Sequence, residues 1–329
     1  MALVPDPQNI RLAMLGMVDG NGHPYSWSAI INGGYDAEAM AQCGYPTIPQ
    51  YLGAQPPSAL GIAGARVTHV WCDDPADAIK VARAARIEHV VEQPEHVIGQ
   101  VDAVIIPTDK GGEHVERARP FVDAGLPVFV DKPLVDRADD LRQFVRWHEA
   151  GKPLMSTSCM RYSREYAALR SRLTEVGQPR LITITTPKSW ERYGIHALEG
   201  VYPFLAPGGW QSAANTGTAE ANIVHARHRD SADVVLAAVA DLYGAFGWLG
   251  LYGTQGALVA QFQDTFFAFK TQLQAFIEYL RTGQLPFPFE ETVELMQILI
   301  AGIRSRDEAG RIGLWEEVLA EPRRESRAR

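Results

Sequence analysis

The first 150 residues alternate short apolar runs with longer segments of helical periodicity, and this alternation limits the possible folds more than any other feature. The apolar runs predict four strands, at residues 10–15, 67–72, 101–106 and 127–130. Segments 75–85 and 114–124 lie between them and predict helices, the second of which stops at Gly125. Strands separated by helices form parallel sheets with both faces covered. Right-handed crossovers then make residues 1–150 a doubly wound Rossmann domain.

The pattern changes after residue 151, where strands are grouped apart from helices. Strand-like runs occupy residues 181–186, 221–228, 234–243 and 257–262, and residues 243–251 are rich in glycine and aromatics. Two strong helical patterns follow at 265–282 and 290–306. This grouping predicts an α+β domain over residues 151–329, with a large, open, mostly antiparallel sheet covered by helices on one face. The terminal helix is free to pack back on the first domain.

Composition and charge exclude several classes of function. An apolar content of 46% supports a sizeable core, and a net charge of −8 disfavours binding to nucleic-acid backbones. The three cysteines, at positions 43, 72 and 159, form no CxxC or His/Cys cluster, so we expect free thiols and no metal site. No apolar run reaches the ~18 residues of a membrane span, and the N-terminus lacks signal-peptide features. We therefore expect a cytoplasmic protein that binds neither membranes nor nucleic acids.

Residues 33–64 separate the first predicted helix from the second strand, where Rossmann units usually have a short connection. The stretch is rich in proline, tyrosine and glycine. Two interpretations are open: a structured insertion over the binding cleft, or a surface loop packed by its own aromatic residues. The surface loop is the simpler expectation.

A glycine-rich turn, residues 16–22, follows the first predicted strand and precedes a helix expected to begin near Ser26. Glycines at this place let backbone N–H groups approach a pyrophosphate. The spacing departs from GxGxxG, because Tyr25 stands where a third glycine would be expected, and by itself such a turn is weak evidence for a nucleotide site. The candidate cofactor contacts in the turn are Gly16, Gly20, Asn21 and Gly22.

Asp73 follows the second predicted strand. An acidic residue at this position accepts hydrogen bonds from the adenine ribose hydroxyls and disfavours a 2′-phosphate, so NAD is the predicted cofactor in preference to NADP. Asp74 and Pro75 instead fit the start of the next helix, as its cap and its first turn.

Residues 101–133 read VDAVIIPTDKGGEHVERARPFVDAGLPVFVDKP. This run resembles the Gfo/Idh/MocA oxidoreductase family in its strand, the histidine that leads the next helix, the glycine turn and a final Glu-Lys-Pro, in which Asp131 here replaces the glutamate. The resemblance implies that Lys132 sits at the nicotinamide and the reacting hydroxyl, where an ammonium polarises the oxygen. It also suggests that Thr108 and His114 line the nicotinamide side, although His114 can equally cap its helix.

The resemblance continues into the second half of the chain. Residues 155–162 are similar to the strand and Arg-Phe/Tyr pair that open the family's second domain, which makes Arg161 a candidate substrate or cofactor contact; an interdomain ion pair is the alternative. Residues 254–256 and 289–314 are similar to the family's late glycine turn and terminal helix. The family also implies a homodimer or homotetramer that associates through the open sheet face near residues 243–251.

A second catalytic position is implied near residue 196. Residues 194–199 resemble part of a family helix whose histidine is the general base, so His196 is expected to exchange a proton with the substrate hydroxyl. The family's aspartate four residues earlier is Arg192 here. An arginine would lower the pKa of a nearby histidine, or bind an acidic group of the substrate, and Glu191 is a candidate for the missing carboxylate.

Aromatic residues flank this helix and are open to two interpretations. Trp190 and Tyr193 are candidate substrate contacts, because aromatic rings stack on sugar faces, but core packing is the commoner role for such residues, as it is for the nearby Tyr202 and Trp210.

These residues predict an NAD-dependent oxidoreductase that acts on a hydroxyl of a sugar, polyol or sugar acid. Two other functions are compatible with the same residues. One is a homologue that binds a nucleotide or sugar without catalysis, as a sensor or interaction protein, which the irregular glycine turn and the missing aspartate favour. The other is a redox-neutral elimination or epimerisation assisted by NAD.

Overall fold

A six-stranded parallel sheet forms the first part of the protein. The structure, a computed structural model, describes residues 1–230, 232–308, 310–313 and 318. The strands of this sheet are β1 (Ile10–Leu15), β2 (Ala65–Trp71), β3 (His89–Val90), β4 (Ala103–Ile106), β5 (Val128–Val130) and β6 (Leu154–Ser156). Their order, β3-β2-β1-β4-β5-β6, confirms the predicted Rossmann sheet. The sixth strand lies beyond residue 150, so the sheet extends past the boundary predicted from sequence.

Helices cover both faces of this sheet. They are α1 (His23–Asn32), α2 (Ala37–Ala41), α3 (Thr47–Gly53), α4 (Pro75–Ala85), α5 (His114–Asp123) and α6 (Ala138–Glu149). Asp74 caps α4 as predicted, since its carboxylate accepts the N–H of Ala76. Helix α1 begins at His23, three residues before the expected start, because Pro24 fits a first helical turn that needs no N–H donor.

The stretch 33–64 is a structured insertion, so the expectation of a surface loop is wrong. Its two helices, α2 and α3, are followed by a 3-10 turn at Pro57–Ala59. Met40, Ile48 and Leu52 are buried in the same core as the first sheet. Because these three side chains remove apolar surface from water, the insertion is held against the domain by more than its own aromatics.

A seven-stranded sheet forms the second domain. Its strands are β7 (Pro179–Pro187), β8 (Trp210–Asn215), β9 (Ala221–His228), β10 (Asp233–Val239), β11 (Trp248–Gly253), β12 (Ala257–Gln261) and β13 (Arg311–Gly313). The order is β12-β11-β7-β10-β9-β8-β13. The β7–β10 pairing is parallel, and the other described pairings in this sheet are antiparallel.

Side chains alternate across this sheet, as the period of a strand requires. On β9, Val224 and Ala226 are buried, whereas Ile223 is 38% exposed on the opposite face. The buried face is covered by α9 (Trp190–Val201) and α11 (Phe289–Glu308). The remaining helices of this domain are α7 (Arg164–Arg170), α8 (Leu173–Val176) and α10 (Thr265–Thr282). The other face carries exposed Tyr252 and Val259 and is open, as predicted.

The two C-terminal helices join the domains. Helix α10 packs on α1, where the Phe269 ring meets the Trp27 ring edge to face at 5.8 Å. Helix α11 packs on α6, and the N–H of Val135 donates to the sulfur of Met296 at 3.5 Å. Within the described residues, no helix is both long and apolar enough to cross a bilayer.

Candidate active site

A cleft of about 390 Å³ lies between the two domains, at the carboxyl edge of the parallel sheet. In α/β folds of this type, ligands bind at that edge. The first domain contributes Gly20, Asn21, Gly22, His23, Ser26, Tyr45, Thr47, Ile48, Tyr51 and Asp109. The second part of the chain contributes Cys159, Lys188, Tyr193, His196, Tyr243, Phe246, Phe262, Thr265 and Phe269.

Lys132 follows β5 and lies directly behind the lining of this cleft. Its side chain is 3% exposed, and Nζ lies 3.6 Å from Asp109 Oδ2 and 5.0 Å from the centre of the Tyr193 ring. Burial lowers the pKa of Lys132, but Asp131 and Asp109 outweigh that effect and raise it above its usual value. The ammonium is therefore kept charged, one side chain away from the cleft.

Asp109, which sequence reasoning missed, is the anion at the centre of the site. Its Oδ1 accepts a hydrogen bond from Arg192 at 2.6 Å, and Lys132 approaches its other oxygen. Burial raises the pKa of Asp109, but the two cations more than offset this and lower it to about 2. Arg192 from α9 is thus neutralised by a carboxylate of the first domain. The only sequence signal for Asp109 was its place after Thr108, just beyond a parallel strand.

The imidazole of His196 faces the same cleft from α9. Its Nδ1 lies 2.7 Å from the Ser158 hydroxyl, and its ring meets Tyr193 and Phe246 edge to face. Burial, Lys132, His23 and Lys188 lower the pKa of His196 well below its usual value. The ring is consequently neutral at physiological pH.

A second histidine, His23, lines the cleft and was not identified from sequence. It is the first residue of α1, and its Nδ1 lies 2.7 Å from Oδ2 of the fully buried Asp131. The other oxygen of Asp131 accepts the N–H of Lys132 at 2.7 Å. In the sequence, His23 is recognisable only by its position directly after the glycine turn, where phosphate-binding turns usually lead into a helix.

The glycine turn lies at the mouth of the cleft. Gly16 has a φ of +109°, and a Cβ there would lie 3.0 Å from the Thr108 methyl and 3.1 Å from the Arg117 guanidinium. Gly22 is needed for a different reason: a Cβ would lie 2.6 Å from Ile48 and 2.7 Å from the Tyr45 ring. The insertion therefore packs directly on the turn and forms one wall of the cleft.

Asp73 lies next to the glycine turn. One of its oxygens accepts the N–H of Met17 at 3.1 Å. Arg117 from α5 binds the same carboxylate at 2.7 Å and also pairs with Glu113. Asp73 nevertheless keeps 41% of its side chain exposed.

Thr108 and His114 are completely buried, so the structure gives them a different environment from the predicted nicotinamide face. The His114 ring does not cap its helix. Its Nδ1 lies 3.0 Å from the Leu134 carbonyl, and its Nε2 lies 3.0 Å from both oxygens of Thr108. These contacts tie α5 to the ends of β4 and β5, behind Lys132.

Arg161 lies outside the cleft, so its prediction as a substrate or cofactor contact is not supported by its position. It forms ion pairs with Glu199 and, at 2.6 Å, with Glu291. Its guanidinium also stacks over Phe287, 4.0 Å from the ring centre. The alternative prediction was an ion pair between the two domains. Both acidic partners belong to helices of the second domain, so the ion pairs of Arg161 join elements within that domain instead.

Two further predictions near α9 are corrected by the packing. Trp190 is completely buried and donates its indole N–H to the Leu299 carbonyl at 2.9 Å, so it is a core residue and not a substrate contact. Glu191 forms an ion pair with Arg306 at 2.7 Å and does not replace the missing carboxylate. Tyr193 does line the cleft, with its ring also 4.3 Å from Lys188 Nζ.

Comparisons with known proteins agree with this architecture. The Gfo/Idh/MocA family model, described as an oxidoreductase family with an NAD-binding Rossmann fold, matches residues 44–157. An inositol 2-dehydrogenase of Cereibacter sphaeroides is 35% identical over 126 residues, which are 37% of this chain and 37% of that protein. The alignment therefore spans well under half the length of this curated relative.

Solved structures extend the similarity over nearly the whole chain. Myo-inositol 2-dehydrogenase from Lactobacillus plantarum superposes with a TM-score of 0.70 at 15% identity, covering 93% of this chain and 99% of that one. Scyllo-inositol dehydrogenase from Lactobacillus casei, solved with NAD(H) and scyllo-inositol, gives 0.63 at 13% identity, covering 93% and 99%. At such identities the superpositions establish the shared two-domain fold.

Proposed function

We propose that this chain, whose residues 44–157 match the Gfo/Idh/MocA oxidoreductase family, is an NAD-dependent dehydrogenase acting on a hydroxyl of a sugar, polyol or sugar acid. One observation carries the proposal. Asp109 and His196 line a single cleft at the carboxyl edge of the Rossmann sheet, beside the glycine turn, and Lys132 lies directly behind Asp109, with its Nζ 3.6 Å from Asp109 Oδ2. A cation, its counter-ion and a neutral imidazole are the groups that alcohol oxidation requires.

The residues around the glycine turn fit a dinucleotide. Among the described residues, the N–H groups of Val18, Asp19 and Gly20 donate to no protein acceptor, so they are available to phosphate oxygens. The start of α1 is less suitable, because Asn21 Oδ1 already accepts the N–H of His23 at 2.9 Å. We therefore assign the pyrophosphate to the turn and not to the helix terminus.

The adenine ribose is assigned to Asp73. Its half-exposed carboxylate can accept hydrogen bonds from both ribose hydroxyls. An arginine at this place can instead bind the 2′-phosphate of NADP, but Arg117 is already bound by Asp73 and Glu113. NAD is thus favoured over NADP.

The oxidised nicotinamide supplies the hydride acceptor, and the protein handles the charge and the proton. Lys132 stabilises negative charge that develops on the substrate oxygen, and Asp109 keeps the ammonium in place. The family resemblance assigns proton transfer to His196, whose ring is fixed by Ser158. Its lowered pKa keeps it in the proton-accepting form.

The cleft suits a small polyhydroxylated substrate. Phe246, Phe269 and Tyr193 supply aromatic surface, while the two histidines supply hydrogen-bonding groups. Arg192 is paired with Asp109, so it is a poor anchor for a substrate carboxylate. Lys188 lines the cleft and, in the part of the chain that the structure describes, forms no ion pair. We therefore assign recognition of an acidic group, in sugar-acid substrates, to Lys188.

The first test is cofactor binding to nucleotide-free protein. Titration calorimetry with NAD and NADP should show micromolar NAD binding and much weaker NADP binding. Asp73→Asn should weaken NAD binding about tenfold and narrow the difference between the two cofactors. Absence of binding to either cofactor would leave a sensor or interaction protein as the better description.

Substrate oxidation is the second test. A screen of inositols, sugars and sugar acids should find a compound that reduces NAD. Lys132→Met should reduce the rate by at least 100-fold without abolishing NAD binding, since it removes charge stabilisation of the reacting oxygen. Lys152→Met, just before β6 at the opposite edge of the sheet, is the matched control. Tightly bound NAD that shows no net reduction during turnover would favour the redox-neutral chemistry.

We also propose that the protein is a homodimer or homotetramer. The open face of the second sheet exposes Trp248, Tyr252, Val259 and Ile223, which together form an apolar surface. Burying such a face against a second copy would remove it from water, and light scattering at micromolar concentration reads out the state directly.

A further inference from the structure

The His23–Asp131 pair is a carboxylate–histidine pair to which the proposed function gives no part in proton transfer. Asp131 is fully buried, and its two oxygens are divided between the His23 ring and the N–H of Lys132. The Asp131 carboxylate therefore links the backbone N–H of Lys132 to the side chain of His23, the first residue of α1. Its position is fixed by contacts on both sides.

The His23 ring has a fixed orientation. It stacks on Trp27 at 4.4 Å between ring centres and meets Phe269 edge to face at 5.0 Å. Nδ1 is engaged by Asp131, whereas Nε2 has no hydrogen-bond partner among the described residues. Since the ring lines the cleft, Nε2 is the nitrogen available to a ligand there.

The two histidines of the cleft differ in their partners. The Nδ1 of His196 meets a hydroxyl, that of Ser158, and burial, together with Lys132 and other nearby cations, lowers the pKa of His196 well below its usual value. Protonation of His196 would thus place a buried positive charge beside Lys132. His23 has a carboxylate behind it, so a proton gained at Nε2 would form an imidazolium that Asp131 stabilises.

We propose that His23, held by Asp131, accepts the hydroxyl proton in place of His196, and that His196 acts as a neutral hydrogen-bonding group. This inference rests on the proposed function. In the oxidative direction the carbinol carbon loses hydride to the oxidised nicotinamide. The O–H bond gives its proton to His23 Nε2, and its electron pair forms the carbonyl. In the reductive direction the imidazolium returns the proton.

The pair itself can be tested in NAD-free protein without substrate. A histidine Nδ1–H that donates to a buried carboxylate gives a proton resonance far downfield of other imidazole protons. We expect this resonance in the wild type, its loss in His23→Gln and Asp131→Asn, and its retention in His196→Gln. A wild type that lacks the resonance, or one whose resonance survives His23→Gln, would overturn the proposal.

The catalytic role is tested by single-turnover NAD reduction with a substrate from the screen. His23→Gln should slow the hydride step by at least 100-fold, while His196→Gln slows it by about tenfold or less. The NAD dissociation constant should stay within threefold of wild type in both variants, which shows that each is folded. His96→Gln, an exposed histidine on the 3-10 turn before β4, is the control and should match the wild type.

The outcomes separate this inference from the proposed function. A His23→Gln variant that keeps its rate, together with a strongly impaired His196→Gln, would return the proton-transfer role to His196 and leave the dehydrogenase intact. Failure of the wild type to bind NAD or to oxidise any compound would overturn the dehydrogenase itself, and with it a role for His23 in hydride transfer. Even if the dehydrogenase activity were absent, the downfield resonance would still show whether His23 and Asp131 form a hydrogen-bonded pair.

Discussion

Asp109 is the residue whose substitution tests the electrostatics of the cleft most directly. Its carboxylate is 1% exposed and meets Lys132 from its own domain and Arg192 from the other. Asp109→Asn keeps the shape of the side chain but leaves both cations without their shared anion. Removing one partner of a buried ion pair is strongly destabilising for this reason.

The size of the effect follows from the pKa of Asp109, which is lowered to about 2. Compared with an ordinary aspartate pKa near 3.9, this lowering corresponds to about 2–3 kcal/mol of stability at neutral pH. A carboxyl group with a lowered folded-state pKa contributes this stability above its unfolded pKa and loses it as the pH falls through the folded value. The contribution should therefore be complete at pH 6–7 and decline between about pH 5 and pH 2.

Urea unfolding of the wild type and Asp109→Asn at a series of pH values measures this contribution. We expect the variant to be less stable by about 2–3 kcal/mol or more at pH 7, with a difference that narrows below about pH 5. Asp123→Asn, at an exposed position on α5, controls for loss of a carboxylate and should stay within about 0.5 kcal/mol of wild type. A difference below 0.5 kcal/mol at pH 7, or one that stays constant down to pH 3, would refute the reasoning.

Two further predictions concern the wall of the cleft and the second histidine. Gly22→Ala should destabilise the protein by about 1–3 kcal/mol in urea unfolding, because its Cβ would overlap the Tyr45 ring, whereas Gly244→Ala, which has open space around it, should be nearly neutral; equal effects would contradict the packing. The pKa of His196 is lowered in the folded state, so the unfolded chain binds more protons below about pH 6.5 and stability should fall there as the pH decreases. His196→Asn should lose this part of the decline, and identical slopes of stability against pH for the two proteins would show that His196 does not titrate as described.

Long periodic elements were predictable from the sequence because their pattern repeats enough times to be distinctive. The bounds of α4, β9 and α10 match the predicted segments residue for residue. The short strands β3 and β6, of two and three residues, carry too few positions to show a period, and their pairing depends on neighbours in the sheet.

The sequence identified Lys132 and His196 as candidates but not the contacts that orient them. Lys132 lies beside the cleft because strand ends in a parallel sheet meet at one edge, whereas His196 reaches the cleft from α9 of the other domain. The bonds that orient them join residues far apart in sequence: Arg192 with Asp109 across 83 positions, and His23 with Asp131 across 108. No local spacing indicates such partners. Arg161 and Trp190 were misplaced for the same reason, because their partners on α11 became adjacent only when the helices packed.

The burial of Trp190 has a consequence for how the cleft can change over time. Its indole fills the space over Gly194 and Gly302, where a Cβ would lie 2.5 and 2.6 Å from the ring. This packing fixes the rotation of helix α9, which carries His196, about its own axis. Substitutions in this part of the helix would therefore disrupt the core. The wall built by residues 33–64 also meets the opposite domain, where the Tyr51 and Phe269 rings lie 6.3 Å apart, but it carries exposed positions that line the cleft, such as Thr47. New side chains at such positions can reshape the entrance while the chemistry beneath it is inherited unchanged.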